Sequence, residues 1–132
     1  QRQMCIRDRH YAPVGLTAVT DEKWLGFVVE QVLSNALKYT PEGGSITIDA
    51  EEPATLCIRD TGIGIAPEDL PRIFDRGYTG RNGRTHRQAS GIGLYLCRRI
   101  CRDLGHTITA ASAVGEGTVI RLDLSRRTGP LE

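Results

Sequence analysis

A predicted strand that ends in a carboxylate and runs directly into a glycine-spaced loop constrains this chain more than any other feature. The strand covers residues 54–59, where Leu56 and Ile58 alternate with less apolar residues. Asp60 then opens a segment in which Gly62 and Gly64 stand two residues apart. Glycines at that spacing let another group approach the backbone closely. The alternative interpretation is an aspartate that opens an ordinary turn.

Apolar periodicity, caps and turn residues predict the other elements. In chain order these are a strand at 14–19, a helix at 21–39 capped by Thr20 or Asp21, a strand at 45–50 that pairs with 54–59 as an antiparallel hairpin, a short helix at 67–74, a helix at 91–104 capped by Ser90 and ended by Gly105, and two strands that flank residues 115–117. Residues 75–90 have no apolar periodicity, which predicts a mobile loop.

These elements and the length of 132 residues predict one domain with two packed layers. The predicted class is α/β (α+β), a two-layer α/β sandwich in which helices cover one face of a mixed, mainly antiparallel sheet. Residues 13–125 form the domain, residues 1–12 are an unassigned edge and residues 126–132 are a tail.

Charge and cysteine content exclude several classes of function. With 17 Lys and Arg against 16 Asp and Glu, nothing favours nucleic acid or an anionic membrane as partner. No apolar run approaches the roughly 18 residues of a membrane span, so no direct membrane insertion is expected. Four scattered cysteines indicate thiols in a reducing cytoplasm. Cys97, Cys101 and His106 allow a metal interpretation, but cysteines one turn apart in an apolar helix are usually small buried hydrophobes.

A polar face runs along the predicted first helix. Counting 100° per residue, Gln31, Asn35 and Lys38 cluster opposite an apolar group that consists of Leu25, Val29, Val32, Leu33 and Ala36. Asparagine is a poor helix former, so Asn35 in mid-helix indicates either a solvated stripe or a functional amide.

Two further segments favour bound phosphate. After Ser90, residues 91–94 place free backbone N–H groups at a helix start, where the helix dipole favours anions. The alternative there is a capped helix whose glycines only lower stability. The preceding loop carries four arginines and no acidic residue between positions 76 and 90, namely Arg76, Arg81, Arg84 and Arg87. Guanidinium groups pair well with phosphate oxygens, although a solvated loop is the alternative for some of them.

In their order along the chain, residues 30–39, 60–65, 73–80 and 90–94 resemble the N box, first glycine box, phenylalanine box and second glycine box of sensor histidine kinases. The resemblance is to the ATP-binding catalytic domain of that family and covers about residues 14–125. It implies a Bergerat fold with a flexible ATP lid at about 75–90, and Mg²⁺ and ATP as cofactors.

The resemblance assigns roles residue by residue. Asn35 would hold Mg²⁺ through its amide oxygen, Lys38 would approach the phosphates, and Arg76 would meet the transferring phosphoryl group. The nucleotide site as a whole would consist of Asn35, Lys38, Tyr39, Asp60, Gly62, Gly64, Ile65, Phe74, Arg76, Gly91, Gly93, Leu94 and Thr118. Asp60 would accept from adenine, and Thr118 would reach Asp60 or a water. Gln31 stands four residues before Asn35, where the family often carries Asn, His or Glu; as a catalytic residue it could position a water but could not act as a base.

The implied reaction transfers the γ-phosphoryl of ATP to a histidine on a separate dimerisation domain, with a response regulator as the downstream partner. His10, His86 and His106 all lack the sequence context of the phosphoacceptor. Residues 21–25, 77–84 and 93–96 resemble the intramembrane-sensing kinases that respond to antimicrobial peptides and bacitracin, which implies the cytoplasmic portion of a membrane-anchored kinase. The alternatives are another ATPase of the gyrase, chaperone and mismatch-repair superfamily, and a nucleotide-responsive interaction module without phosphotransfer.

Overall fold

The structure, a computed structural model, describes residues 21–51, 53–78 and 93–125, together with the backbone of residues 8–11. The strands are β1 (Asp8–Tyr11), β2 (Ser45–Glu51), β3 (Thr55–Asp60), β4 (Thr107–Ala113) and β5 (Gly117–Asp123), and the helices are α1 (Glu22–Tyr39) and α2 (Gly93–Asp103), with one 3-10 turn at Leu70–Arg72. Neither described helix is both long enough and apolar enough to cross a membrane.

The five strands form one sheet in the order β1-β2-β3-β5-β4. β1 runs parallel to β2, and the other neighbouring pairs are antiparallel. Ile48, Ile58 and Ile120 lie opposite one another in this register and are buried. The predicted class, a mixed and mainly antiparallel sheet with helices packed against it, is confirmed.

The beginning of the sheet differs from the prediction. Asp8–Tyr11, part of the segment that the sequence left unassigned, pairs with β2, so that Tyr11 lies opposite Ile48. This parallel pairing joins residues far apart along the chain, which local periodicity does not indicate. The strand predicted at 14–19 lies outside the described residues, as does the tail at 126–132.

Helix α1 begins where its cap predicts. The Asp21 side chain accepts hydrogen bonds from the backbone N–H groups of Lys23 and Trp24 at 3.0 and 3.1 Å, which satisfies two N–H groups that have no partner inside the helix. Its predicted apolar group packs on the core, but Val28 is also fully buried. The Cys97 thiol of α2 donates to the Val28 carbonyl oxygen at 3.8 Å, so α2 covers the flank of α1 next to the polar face.

The predicted helix at 67–74 is wrong in extent. Only Leu70–Arg72 forms a helical turn, and its bonds are of the 3-10 kind, for example from the Arg72 N–H to the Asp69 carbonyl at 2.8 Å. Pro71 has no N–H group and its ring disfavours a preceding α-turn, so an α-helical ladder cannot run through this segment.

Helix α2 ends at the predicted glycine. The backbone N–H of His106 donates to the Cys101 carbonyl at 2.7 Å, and Gly105 has φ of +80°, which is the geometry of a Schellman cap. The two closing strands β4 and β5 follow, and the predicted turn at 115–117 joins them, with Gly117 as the first residue of β5.

The core lies between the two helices and one face of the sheet. Its buried members are Val28, Val32, Ala36, Ile46, Ile48, Ile58, Cys97, Cys101, Ile108, Ile120, Leu122 and Leu124. The opposite face carries ion pairs that join β2, β3 and β5. Arg59 contacts Asp49 and Glu51 at 3.0 Å, and Arg121 contacts Glu51 at 3.2 Å. The layers therefore place the end of β3, where Asp60 stands, beside the end of α1.

Candidate nucleotide-binding site

The Asp60 carboxylate is held by one oxygen and leaves the other available. Its Oδ1 accepts hydrogen bonds from the backbone N–H of Gly62 at 2.9 Å and of Thr118 at 3.2 Å. Among the residues that the structure describes, none donates to Oδ2. Because two backbone groups fix the orientation of the side chain, Oδ2 is a preorganised acceptor at the end of β3.

The same environment shifts the acidity of Asp60. Burial raises the pKa of this carboxyl above its ordinary value of 3.8, and the two backbone N–H groups oppose that shift only in part. Among the described residues no cation pairs with this carboxylate, and a carboxylate that is partly removed from water binds an added donor more strongly than an exposed one does. Asp60 is therefore suited to recognise a hydrogen-bond donor.

The glycine loop after Asp60 is fastened on two sides. The Ile63 N–H donates to the carbonyl of Tyr39 at the end of α1, at 3.2 Å, and the Gly115 N–H donates to the Ile63 carbonyl at 2.8 Å. Gly64 has φ of +78°, and a Cβ there would collide with the carbonyl oxygen of Ala113. A side chain is thus excluded both by the left-handed conformation and by the close approach of β4. The loop lies between α1 and the β4–β5 turn.

Thr118 does reach Asp60, but through its backbone N–H. Its side-chain hydroxyl lies 2.8 Å from the hydroxyl of Ser112 on β4. The Ser112 oxygen also accepts from the Ile65 N–H at 2.8 Å and lies 2.8 Å from the Gly117 carbonyl oxygen. Sequence reasoning missed Ser112, because its role depends on the pairing of β4 with β5 and no motif marks it.

The polar face of α1 lies beside the start of α2. Gln31, Asn35, Lys38 and Tyr39 are all half-buried, and a Cβ on Gly93 would come within 3.1 Å of the Gln31 side-chain oxygen. Burial raises the pKa of the Tyr39 hydroxyl, which therefore stays neutral at pH 7. The amide-bearing face of α1 and the first described turn of α2 thus border the same region.

The segment after the 3-10 turn adds aromatic and cationic groups. Phe74 is half-buried against the core, and the Arg98 guanidinium lies over its ring at 5.5 Å from the centroid. Arg76 is exposed, and its guanidinium lies over the ring of Tyr95 in α2 at 5.7 Å. Stacking on Tyr95 keeps Arg76 next to the first turns of α2.

Several predicted residues lie outside the described part of the chain. These are Gly91, Arg81, Arg84, Arg87, His86, the cap Ser90 and most of the predicted lid, of which residues 75–78 are described. Gly93 and Leu94, the other two residues of the second glycine box, open α2.

The cysteines and His106 do not form a metal centre in the described residues, where no three His, Cys, Asp or Glu side chains are arranged to hold a cation. Cys97 and Cys101 are buried, and burial raises their pKa values to about 12 and about 11. Both are therefore neutral thiols at pH 7, which is the form that packs in a core.

The site nevertheless fits Mg²⁺ that arrives with a nucleotide, because this hard cation keeps several waters and takes few protein ligands beside phosphate oxygens. Asn35 offers one amide oxygen on a half-buried face, one turn from Gln31 and beside Lys38. A single neutral oxygen ligand suits a metal whose charge the phosphates already balance.

The amino-acid sequence of this chain is similar to a known protein family and to known sensor kinases. Residues 20–128 match the family described as histidine kinase-, DNA gyrase B-, and HSP90-like ATPase. The chain is 42% identical over 107 residues to the sensor histidine kinase YxdK of Bacillus subtilis (strain 168), across 77% of the chain and 33% of that relative. It is 43% identical over 106 residues to the sensor protein kinase GraS of Staphylococcus aureus (strain N315), across 78% of the chain and 30% of GraS. The chain thus spans about a third of the length of these relatives.

Solved structures agree with the fold. The mycobacterial sensor histidine kinase MprB superposes with a TM-score of 0.81 at 27% identity, over 93% of this chain and 86% of that one. The catalytic domain of histidine kinase ThkA superposes with a TM-score of 0.74, over 90% of this chain and 80% of that one; at 22% identity this likeness concerns the fold alone.

Proposed function

The chain belongs to the family of histidine kinase-, DNA gyrase B- and HSP90-like ATPases, and on that premise we propose that it is the ATP-binding catalytic domain of a bacterial sensor histidine kinase. It binds Mg-ATP and delivers the γ-phosphoryl group to a histidine on a separate dimerisation domain. The curated relatives, named as sensor kinases, support this assignment over a chaperone- or gyrase-type ATPase.

The Asp60 carboxylate is the observation that carries the proposal. Its Oδ1 is occupied by the N–H groups of Gly62 and Thr118, and its Oδ2 accepts nothing from the described residues. The 6-amino group of adenine donates and therefore satisfies Oδ2, whereas the 6-oxo group of guanine would face it with a second acceptor. Gly62, Gly64 and Ile65 border the ring through their backbone, and Tyr39 closes the side formed by α1.

The phosphates lie along the polar face of α1, toward the start of α2. Lys38 and the backbone N–H groups of Gly93 and Leu94 supply positive charge and donors there. Gln31 reaches the first turn of α2, but an amide cannot take a proton from water, which weighs against rapid hydrolysis and leaves ATP for transfer. Gly91, outside the described residues, belongs to the same phosphate site by the family resemblance.

In the transfer itself, a histidine nitrogen forms a bond to the γ-phosphorus while the bond from that phosphorus to the β,γ-bridging oxygen breaks, and ADP leaves. Asn35 would hold in part the Mg²⁺ that comes with the nucleotide, and that ion would supply charge neutralisation for the phosphates. Arg76, held beside α2 by Tyr95, meets the equatorial oxygens, whose charge shifts during transfer. His106, whose side chain the structure describes, is only 5% exposed, and the family resemblance assigns the accepting histidine to the dimerisation domain.

We extend the proposal to the whole protein. The dimerisation domain and a response regulator are its partners, nucleic acid is not, and the domain works in the cytoplasm as part of a membrane-anchored kinase. The resemblance of residues 21–25, 77–84 and 93–96 to intramembrane-sensing kinases supports a role in sensing antimicrobial peptides or bacitracin.

Replacing Asn35 with alanine tests the metal assignment. We expect the parent domain to bind ATP with micromolar to millimolar affinity in calorimetry and to bind it more weakly after Mg²⁺ is chelated. Asn35→Ala should weaken Mg-ATP binding about tenfold, as expected for the loss of one ligand to a charged group, and should change metal-free ADP binding much less.

Ser34→Ala is the matched control, because Ser34 is the exposed neighbour of Asn35 on α1 and the substitution leaves the polar face intact. It should bind Mg-ATP like the parent. Tight ATP binding that a chelator does not affect would contradict the assignment of Mg²⁺ to Asn35.

A further inference from the structure

An aromatic pair extends the polar face of α1 beyond the proposed phosphate site. Phe27 lies four residues and Trp24 seven residues before Gln31 in this helix, so they are turned from it by only about 40° and 20° around the axis. Their rings pack edge to face, with centroids 6.3 Å apart and planes at 73°. One side of α1 therefore carries polar side chains in its second half and two aromatic rings near its beginning.

The Trp24 side chain stands on a capped turn and remains partly in water. It is 47% exposed, and Phe27 is half-buried. The Asp21 side chain accepts from the Trp24 N–H at 3.1 Å, which fixes the backbone at the start of the helix. An aromatic ring left in water forgoes roughly 25 cal/mol for each Å² of apolar surface that burial would cover. Aromatic groups on a fixed backbone are typical anchors of protein interfaces, because little order is lost when they bind.

The pair lies beyond the γ-phosphate end of the proposed nucleotide. On the proposed function, the purine lies at Asp60 and Tyr39, and the phosphates extend along the polar face toward Gln31, which reaches the start of α2. Gln31 is eight residues from Tyr39, about 12 Å along the helix axis, which is comparable to the length of an extended ATP molecule. Phe27 stands one turn farther along the same side, at about another 6 Å.

The stereochemistry of transfer decides from which side the accepting histidine arrives. Its nitrogen forms the bond to the γ-phosphorus opposite the β,γ-bridging oxygen, whose bond to phosphorus breaks. That oxygen lies on the purine side of the γ-phosphorus. The histidine therefore approaches from the first half of α1, where Trp24 and Phe27 lie, and the domain that carries it comes next to both rings.

We propose that Trp24 and Phe27 form a docking surface for the dimerisation domain, which packs an apolar surface beside its histidine on the two rings. The inference rests on the proposed function and deepens it by assigning the contact with the partner. The other large apolar side chains exposed among the described residues are Ile63 and Val114. They belong to the glycine loop and the β4–β5 turn at the adenine end, away from the attacking histidine.

Phosphotransfer to the separate dimerisation domain tests the docking role. We expect Trp24→Ala to raise the concentration of dimerisation domain that gives half-maximal transfer about ten- to thirtyfold, the effect of losing one aromatic anchor. The rate at saturating dimerisation domain and the Kd of Mg-ATP should stay at the parental values, because the pair lies beyond the phosphates. Trp24→Phe, which keeps an aromatic ring, should recover most of the loss.

Val114→Ala is the matched control. Val114 is an apolar side chain that is 63% exposed at the opposite end of the site, so its truncation also removes apolar surface from water. It should leave both the half-maximal concentration and the Kd of Mg-ATP unchanged. An equal loss in Val114→Ala and Trp24→Ala would contradict a docking role specific to the aromatic pair.

A second measurement needs no substitution in this chain and therefore does not depend on whether Trp24→Ala folds. Trp24 is the only tryptophan, so intrinsic fluorescence reports on this position alone. The chain is titrated, with Mg²⁺ and a non-hydrolysable ATP analogue present, with a dimerisation domain that contains no tryptophan. We expect the emission to move to shorter wavelength and to become less sensitive to quenching by acrylamide.

Either of two results would overturn this inference while leaving the proposed function intact: a folded Trp24→Ala with the parental half-maximal concentration, or Trp24 emission that the dimerisation domain does not change. Emission that shifts with the concentration of this chain alone would assign the aromatic pair to a second copy and would overturn the inference too. A parent domain that binds Mg-ATP but phosphorylates no dimerisation domain at any concentration would overturn the proposed transfer and the inference with it.

Discussion

Replacing Asp60 with asparagine is expected to remove most adenine recognition while leaving the fold at least as stable as that of the parent. The asparagine oxygen can still accept from Gly62 and Thr118, but its NH₂ group would stand where Oδ2 accepts, opposite the donating amino group of adenine. The loss of a charged hydrogen bond in a partly buried site should cost about 1 to 3 kcal/mol of ATP binding free energy. Calorimetry measures this loss, and denaturant unfolding measures the stability.

The difference in unfolding stability between Asp60→Asn and the parent depends on pH in a defined direction. Because burial raises the pKa of Asp60, the folded state favours the protonated form. The stabilising contribution of that group is therefore present below its unfolded pKa of about 3.8 and is lost as pH rises through the folded value. At pH 7, Asp60→Asn should unfold at equal or higher denaturant concentration than the parent, and the difference should shrink in acid. Asp103→Asn, which removes an exposed carboxylate on α2, should leave ATP binding unchanged. Equal binding of ATP by Asp60→Asn and parent would show that Asp60 does not recognise the base.

Placing a methyl group on Gly117 should damage the site more than any change of a polar residue. Gly117 has φ of +125°, which L-residues rarely adopt, and its Cβ would collide with the carbonyl oxygen of Asp60. Relieving the collision requires β5 to move away from the end of β3, which would also displace the Thr118 N–H from Asp60. Strain of this kind costs about 1 to 3 kcal/mol for the backbone and a similar amount for overpacking. Gly117→Ala should thus lower the free energy of unfolding by about 2 to 6 kcal/mol.

The same turn provides the control for this prediction. Gly115 also has positive φ, at +81°, but no atom lies within 4 Å of the position its Cβ would occupy. Gly115→Ala should cost only the conformational penalty, about 1 to 2 kcal/mol, and should leave ATP affinity nearly unchanged. Equal destabilisation by the two substitutions in denaturant titrations would mean that the contact with Asp60 is relaxed at little cost.

The parts of the fold that sequence predicted are those in which local pattern and packing agree. The cap at Asp21, the hairpin around Ile48 and Ile58 and the left-handed Gly105 each follow from residues close together in sequence. The predicted helix at 67–74 failed because Pro71 interrupts an apolar spacing that otherwise suits a helix. Strand β1 was missed because parallel pairing with β2 is decided by distant residues.

In the candidate site, too, local sequence predicted some features, whereas others depend on the packing of distant residues. Motifs marked Asp60 and the glycine loop, and the structure brings Asp60 into contact with Gly62 and Thr118 as one unit. Ser112 could not be found, since a serine in an alternating strand is unremarkable until the register places it beside Thr118. The polar face of α1 was identified, but its half-burial next to α2 depends on how the two helices pack around Val28 and Cys97.

A phosphotransfer assay between separate domains tests the central claim most directly. The domain is incubated with Mg-ATP labelled on the γ-phosphate, alone and together with the dimerisation domain of the full kinase. We predict no acid-labile, base-stable phosphate on this chain by itself, and such phosphate on the histidine of the dimerisation domain when both are present. ATP binding without any transfer to that histidine would contradict the proposal and favour a nucleotide-responsive interaction module. Labelling of this chain at its own His10, His86 or His106 would contradict it equally.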